Sequence, residues 1–275
     1  MNEIRLISII IPTYNSGKTI EACLESISIQ TFKAFEVIII DGLSTDETIL
    51  NAKEFENKIA LTISSAMDEG IYDAMNKGIS LAKGEYLYFL GSDDTLFDNE
   101  VLHTIAKEIV NSDARIIYGN VKMKGNSHLV KNNTIYGGEF DLKRLLVHNI
   151  PHQAIFYHKS VFDQIGKYNI NYQLFADHDF NLRAISKFEL QYIDQIVANF
   201  NVGGSSTTLK DEKFEQDKIY NFINYFGKHI HKIEFAKVRY YIKEAALNRN
   251  SKVAPMMRVY CLMIYSKLKV QSLLK

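Results

Sequence analysis

The chain has 275 residues, 32 basic and 32 acidic side chains, a formal net charge of zero and 47% hydrophobic residues. A chain of this length buries roughly three quarters of its unfolded surface, so it needs no covalent staples, and its composition excludes a disordered protein. Two cysteines far apart, Cys23 and Cys261, exclude a disulfide framework or zinc cluster, while the lack of a secretory leader or of roughly 20 consecutive apolar residues argues against export or a membrane span.

Residues 6–11 read as a buried strand closed by Pro12, and residues 19–29 as a helix with Ile20, Cys23, Leu24 and Ile27 on one stripe. Residues 35–40 form a second apolar strand ending at Asp41-Gly42. A short helix through Glu54 and a strand over 60–64 follow. Residues 71–82 are helical with Gly84 as the stop, and residues 86–90 make a strand ending in Gly91-Ser92-Asp93-Asp94. Residues 101–110 are helical, then 116–121 read as a strand. Nearly all-apolar strands alternating with helices predict a parallel sheet covered on both faces, with ligands outside the carboxyl ends of the strands. Those ends carry Thr13, Tyr14 and Asn15, then Asp41, Asp68, and Asp93 with Asp94.

Residues 122–210 are less regular. Gly125, Gly137 and Gly138 suggest hairpin turns, 161–165 a short helix stopping at Gly166, 179–186 a helix, and 191–202 a strand ending in Gly203-Gly204-Ser205. From Asp211 onward the pattern is helical, and no internal repeat is present.

Residues 12–19 end in Gly17-Lys18-Thr19, like a Walker A loop, and 37–41 mimic a Walker B strand. The first glycine of that loop is replaced by Pro12, which has no N–H for phosphate and a fixed φ. An ATPase is therefore disfavoured, as is a dinucleotide oxidoreductase, because no Gly-x-Gly-x-x-Gly follows the first strand.

Four ordered motifs resemble the family 2 glycosyltransferases, in particular the bacterial branch that builds O-antigen, capsule and exopolysaccharide. They are residues 9–15, 40–46, 68–78 and 90–94, within a match over roughly 4–205. The resemblance implies a GT-A fold: an α/β, mostly parallel mixed sheet flanked by helices. It also implies a UDP-sugar donor, a divalent metal (Mn²⁺ or Mg²⁺) and inversion at the anomeric carbon. Pro12, Thr13, Tyr14 and Asn15 then face the nucleoside, and Asp41 accepts the uracil ring N–H, which cytosine lacks. Ser44 and Asp46 read as helix caps. Asp68, Gly70, Asp73 and Asn76 match the segment around ribose and diphosphate, although Asp73 is also placed to pair with Lys77. Asp93 and Asp94 match the metal motif, with Asp93 also a donor contact and Gly91 where relatives carry a first Asp. Asp177 aligns with the general base, with Asp179 as second choice and Arg183 spaced to pair with it. His152 and Gln153 match a pair near the acceptor, and Gly203, Gly204 and Ser205 a segment closing over the donor.

The charge is uneven. Residues 228–275 hold eleven basic side chains against Glu234 and Glu244, so residues 1–227 carry an equal acidic excess. Val253, Met256, Met257, Tyr260, Ile264 and Leu268 fall on one helical stripe there. The reading is a GT-A domain over 1–210 and a helical basic tail over 211–275. That tail would lie on the anionic inner face of the cytoplasmic membrane, or else cap the core or form a homodimer. No nucleic-acid motif is present. The expected activity is transfer of a hexose (glucose, galactose or an N-acetyl form) to a hydroxyl of a saccharide carried on polyprenyl diphosphate. The alternatives are a nucleotidyltransferase, or a non-catalytic sugar-nucleotide-binding assembly subunit.

Overall fold

The computed structural model describes residues 6–125, 131–202, 211–227, 229–248 and 255–273. Strands β1 (Ile7–Thr13), β2 (Phe35–Asp41), β3 (Leu61–Ser65) and β4 (Tyr86–Phe89) run parallel in the order β3-β2-β1-β4. They are joined through α1 (Ile20–Ser28), α2 (Thr48–Lys53) and α3 (Ile71–Leu81). Successive residues of β1 face opposite layers. Ile7, Ile9 and Ile11 enter a core shared with Ile20, Leu24 and Ile27 of α1, and Ile10 enters the core of Tyr72 and Met75 of α3. Both faces are apolar because both are covered.

Beyond β4 the sheet becomes mixed. After β5 (Thr95–Leu96) and α4 (Val101–Asn111), β6 (Ile116–Lys124) does not pair with β4. Between them lies β8 (Ile155–His158), antiparallel to both, and β9 (Gln191–Asn201) runs parallel to β6. The two-residue β7 (Ile135–Tyr136) hairpins onto β6, and β5 pairs with β9 at the far edge. The parallel sheet expected for residues 1–120 thus holds through β4 and is interrupted at β6. Strand β8 is a four-residue run between polar turns. Its identity as a strand comes from its two neighbours rather than from any periodicity of its own.

Helices α5 (Leu142–Leu145), α6 (Ser160–Ile165) and α7 (Ala176–Ile185) flank this half. Helix α7 begins three residues before the expected start, which puts Asp177 in its first turn. Helices α8 (Glu212–Phe226), α9 (Ala236–Leu247) and α10 (Pro255–Leu273) follow. Phe214 and Phe222 of α8, Val238 and Ile242 of α9, and Cys261 of α10 share one buried cluster with Phe180 of α7. The stripe expected on α10 divides: Met257, Tyr260, Ile264 and Leu268 pack on that cluster, whereas Met256 is 80% exposed. Val253 lies outside the described residues. No helix of the described residues is long and apolar enough to cross a membrane.

Candidate active site

The carboxyl ends of β1 to β4 are stitched into one polar floor. Asn15, at φ 49°, donates its backbone N–H to Ser44 Oγ (2.8 Å), and its Oδ1 accepts the Thr45 N–H (2.9 Å). Pro12 and Thr13 lie within β1, paired with Ile40 and Asp41 of β2, and the Tyr14 ring is 65% exposed above them. Asp41 is fully buried. It accepts from Ser44 Oγ (2.5 Å), the Ser44 backbone N–H (3.1 Å) and Ser65 Oγ (2.6 Å). Ser44 therefore braces Asp41 instead of capping a helix, because its hydroxyl reaches back three residues. Asp46 keeps a capping role, accepting from Thr48 and from the Gly17 N–H (2.9 Å). Asp68 accepts the Gly70 N–H (3.0 Å) and leans over Gly42, where an added Cβ would stand 2.7 Å from its Oδ2.

Asp93 and Asp94 follow β4. Gly91 lets their carboxylates converge, since a Cβ there would lie 2.6 Å from Asp94 Oδ2 and 3.0 Å from Asp93 Oδ1. Asp93 is exposed and Asp94 buried. Asp94 accepts from Gln153 Nε2 (2.9 Å) and from the Asn201 N–H (2.8 Å), which ties β4, β8 and β9 together. Burial first, and then the Asp93 charge, push the Asp94 carboxyl up to about 7. Neither carboxylate has an ion pair with lysine or arginine among the described residues.

Asp177 lies across the floor on α7. Its Oδ1 accepts from Tyr72 OH (3.0 Å) and the His178 N–H (2.8 Å), and its Oδ2 accepts from Asn149 Nδ2 (2.9 Å). His152 Nδ1 stands 3.5 Å from the same Oδ2, and His152 Nε2 is buried without a hydrogen-bond partner. The neighbouring side chains His152 and Gln153 thus connect Asp177 to Asp94, the two carboxylates the sequence placed 83 positions apart.

A family model described as glycosyl transferase family 2 matches residues 8–166. The PGL/p-HBAD biosynthesis glycosyltransferase of Mycobacterium tuberculosis (strain ATCC 25177 / H37Ra) is 43% identical over 216 residues, covering 76% of this chain and 82% of its own length. This chain belongs to glycosyl transferase family 2. Its fold is that of S. aureus TarS 1-349, solved in complex with UDP-GlcNAc, at TM-score 0.66 and 18% identity over 96% of this chain and 81% of that one. A mannosyltransferase from Pyrobaculum calidifontis, solved with GDP-Man and Mn2+, aligns at TM-score 0.56 and 13% identity over 98% of this chain and 76% of its own.

As a family 2 glycosyltransferase the protein is an enzyme, and the geometry separates its candidate residues. Asp179 points away from Asp177. It accepts from Arg183 Nε (3.0 Å), Tyr225 OH (2.7 Å) and Asn221 Nδ2 (3.2 Å), which anchors α7 to α8. Asn76 spends both amide atoms on the Tyr168 backbone, at 2.9 and 3.0 Å, and Asp73 pairs with Lys77 at 2.9 Å. Gly70, at φ 112°, starts α3 in a conformation that L side chains rarely adopt. Gly203, Gly204 and Ser205 lie outside the described residues. Sequence reasoning missed Ser65, Tyr72 and Asn149. Ser65 and Asn149 lie outside the four motifs, and Tyr72 lies within 68–78 as an apolar-looking helix residue; only folding brings them to Asp41 and Asp177.

Proposed function

We propose that the protein transfers a hexose from a UDP-sugar to a hydroxyl of a lipid-linked saccharide, with inversion at the anomeric carbon. The observation that carries this reading is the bridge from Asp94 through Gln153 and His152 to Asp177, which places a metal-type carboxylate pair and a lone carboxylate at the two ends of one 3-10 turn. Support for a nucleotide-sugar donor comes from the solved relatives' bound UDP-GlcNAc and GDP-Man. The PGL/p-HBAD biosynthesis relatives support an acceptor in glycoconjugate assembly.

The donor set suits a hard divalent cation such as Mn²⁺ or Mg²⁺. Two carboxylates converge, one of them exposed, and no group of three His, Cys, Asp or Glu side chains gathers among the described residues. A site with one or two carboxylates leaves the remaining positions to substrate phosphates and water. Asp93 would be the direct ligand, with Asp94 holding the loop through Gln153 and Asn201. Bound there, the cation would neutralise the departing diphosphate.

In the transfer, the bond from the anomeric carbon to the diphosphate oxygen breaks as the acceptor oxygen bonds to that carbon from the opposite face. UDP departs and Asp177 takes the hydroxyl proton. Asp41 is held at the end of β2 by Ser44 and Ser65, whose donors engage both of its oxygens, so accepting the uracil ring N–H would mean exchanging one of these donors for it.

In this reading residues 1–210 carry the catalytic groups, and 211–275 form a helical tail whose α8 and α9 pack into the core while the outer face of α10 meets the inner face of the cytoplasmic membrane. Met256, Val259, Met263 and Val270 form an exposed apolar stripe on α10, within a segment rich in lysine and arginine.

The test is a thermal-shift panel of UDP, GDP, dTDP, CDP and ATP, each with and without Mn²⁺. A UDP shift that requires Mn²⁺ is expected. A shift with ATP alone, or with none of the nucleotides, would overturn the donor assignment.

A further inference from the structure

Asp177 does not present two equivalent oxygens. A carboxylate oxygen offers two in-plane lone pairs. On Oδ1 both are taken, by Tyr72 OH at 3.0 Å and the His178 N–H at 2.8 Å. On Oδ2 one is taken by Asn149 Nδ2 at 2.9 Å, and the other faces the side on which His152 Nδ1 stands at 3.5 Å.

The Asn149 contact ends a one-way chain of donors. Tyr157 OH donates to Asn181 Oδ1 at 2.6 Å, Asn181 Nδ2 donates to Asn149 Oδ1 at 2.8 Å, and Asn149 Nδ2 donates to Asp177 Oδ2. Each amide accepts through oxygen and donates through nitrogen. The carboxylate can only accept, so reversing either amide would break two bonds of the chain. Tyr157 is fully buried, and the Asn149 backbone carbonyl is fixed separately by Tyr136 OH at 3.0 Å. Hydrogen bonds aligned in this way polarise one another in a low-dielectric interior.

We infer that Asp177 Oδ2 is the atom that receives the acceptor's proton and that Asn149 is its positioning residue, oriented by Asn181 and Tyr157. The inference rests on Asp177 being the base. Asn149 fills one Oδ2 lone pair and leaves the other for the acceptor hydroxyl. Its removal would take away the contact that holds Oδ2 in place, so the reacting oxygen would lose its aim.

The experiment is steady-state kinetics of the full chain, following UDP release from UDP-glucose with an octyl glycoside acceptor. Asn149→Ala is expected to lower kcat about tenfold or more with KM for UDP-glucose within about twofold of wild type, because a misaimed base slows the transfer and leaves donor binding alone. Tyr157→Phe, which removes only the distal hydroxyl, is expected to lower kcat by less. A kcat unchanged in both variants, or a KM that rises as far as kcat falls, overturns the inference. Should Asn149→Ala fail to fold, Tyr157→Phe carries the test alone. If Asp177→Asn turns over at the wild-type rate, the base assignment itself is wrong. If Asp177→Asn is dead and neither variant lowers kcat, only the positioning role falls.

Discussion

His152 Nδ1 and Asp177 Oδ2 face each other at 3.5 Å, and the next side chain, Gln153, donates to Asp94 Oδ2 at 2.9 Å. A single 3-10 turn, His152–Ala154, thereby spans the distance between the proposed metal ligands and the proposed base. Displacing this turn would misplace both ends of the reaction at once.

The two aspartates of α7 should behave differently. Asp177→Asn should lower the transfer rate by about 10²–10⁴-fold while leaving the nucleotide-induced thermal shift intact. Asp179→Ala should instead lower stability by about 3 kcal/mol, because Arg183, Tyr225 and Asn221 lose a shared buried acceptor. Denaturant melts of the two variants beside wild type make the comparison, and equal stability losses would contradict it.

Gly91→Ala tests the carboxylate pair without removing a charge. The new methyl would stand 2.6 Å from Asp94 Oδ2 and 3.0 Å from Asp93 Oδ1, so the carboxylates must separate. The Mn²⁺-dependent part of the UDP thermal shift should fall at least as far as in Asp93→Asn, with the metal-free melting temperature within a few degrees of wild type.

Acid should weaken the fold through His178. Burial holds its imidazole below the ordinary histidine range, while its Nε2 sits 2.7 Å from the Leu145 carbonyl oxygen. As pH falls below about 6.5, the unfolded chain takes up a proton that the native state resists, so native stability is full above that pH and is lost below it. The drop in melting temperature between pH 7.5 and 5.5 should be smaller in His178→Gln than in wild type.

Membrane binding by α10 calls for surface substitutions, since deletion from residue 211 would remove Phe214, Phe222 and Asn221 from the core and the Asp179 anchor. Met256→Ser, Val259→Ser and Met263→Ser together alter only exposed side chains. Co-sedimentation with phosphatidylglycerol vesicles should drop about tenfold or more, given about 1.5–3 kcal/mol for each fully buried apolar side chain. Unchanged sedimentation would remove the membrane role from this face.

The parallel half of the sheet and the polar residues at its carboxyl ends were legible in the amino-acid order. Unbroken apolar runs such as 37–40 must be buried on both faces, and the chain can turn only beyond them, where Asn15, Asp41 and Asp93 stand. That much is local, and periodicity carries it. The remainder is long-range. Strand β8 pairs between β4 and β6 because its two neighbours supply the hydrogen bonds, and that pairing brings Gln153 to Asp94. Asp177 was ranked above Asp179 through the family resemblance alone, and the packing separates the surroundings of the two. Residues two apart on a helix point roughly opposite ways, and α8 holds Asp179 in a structural anchor while Asp177 faces His152.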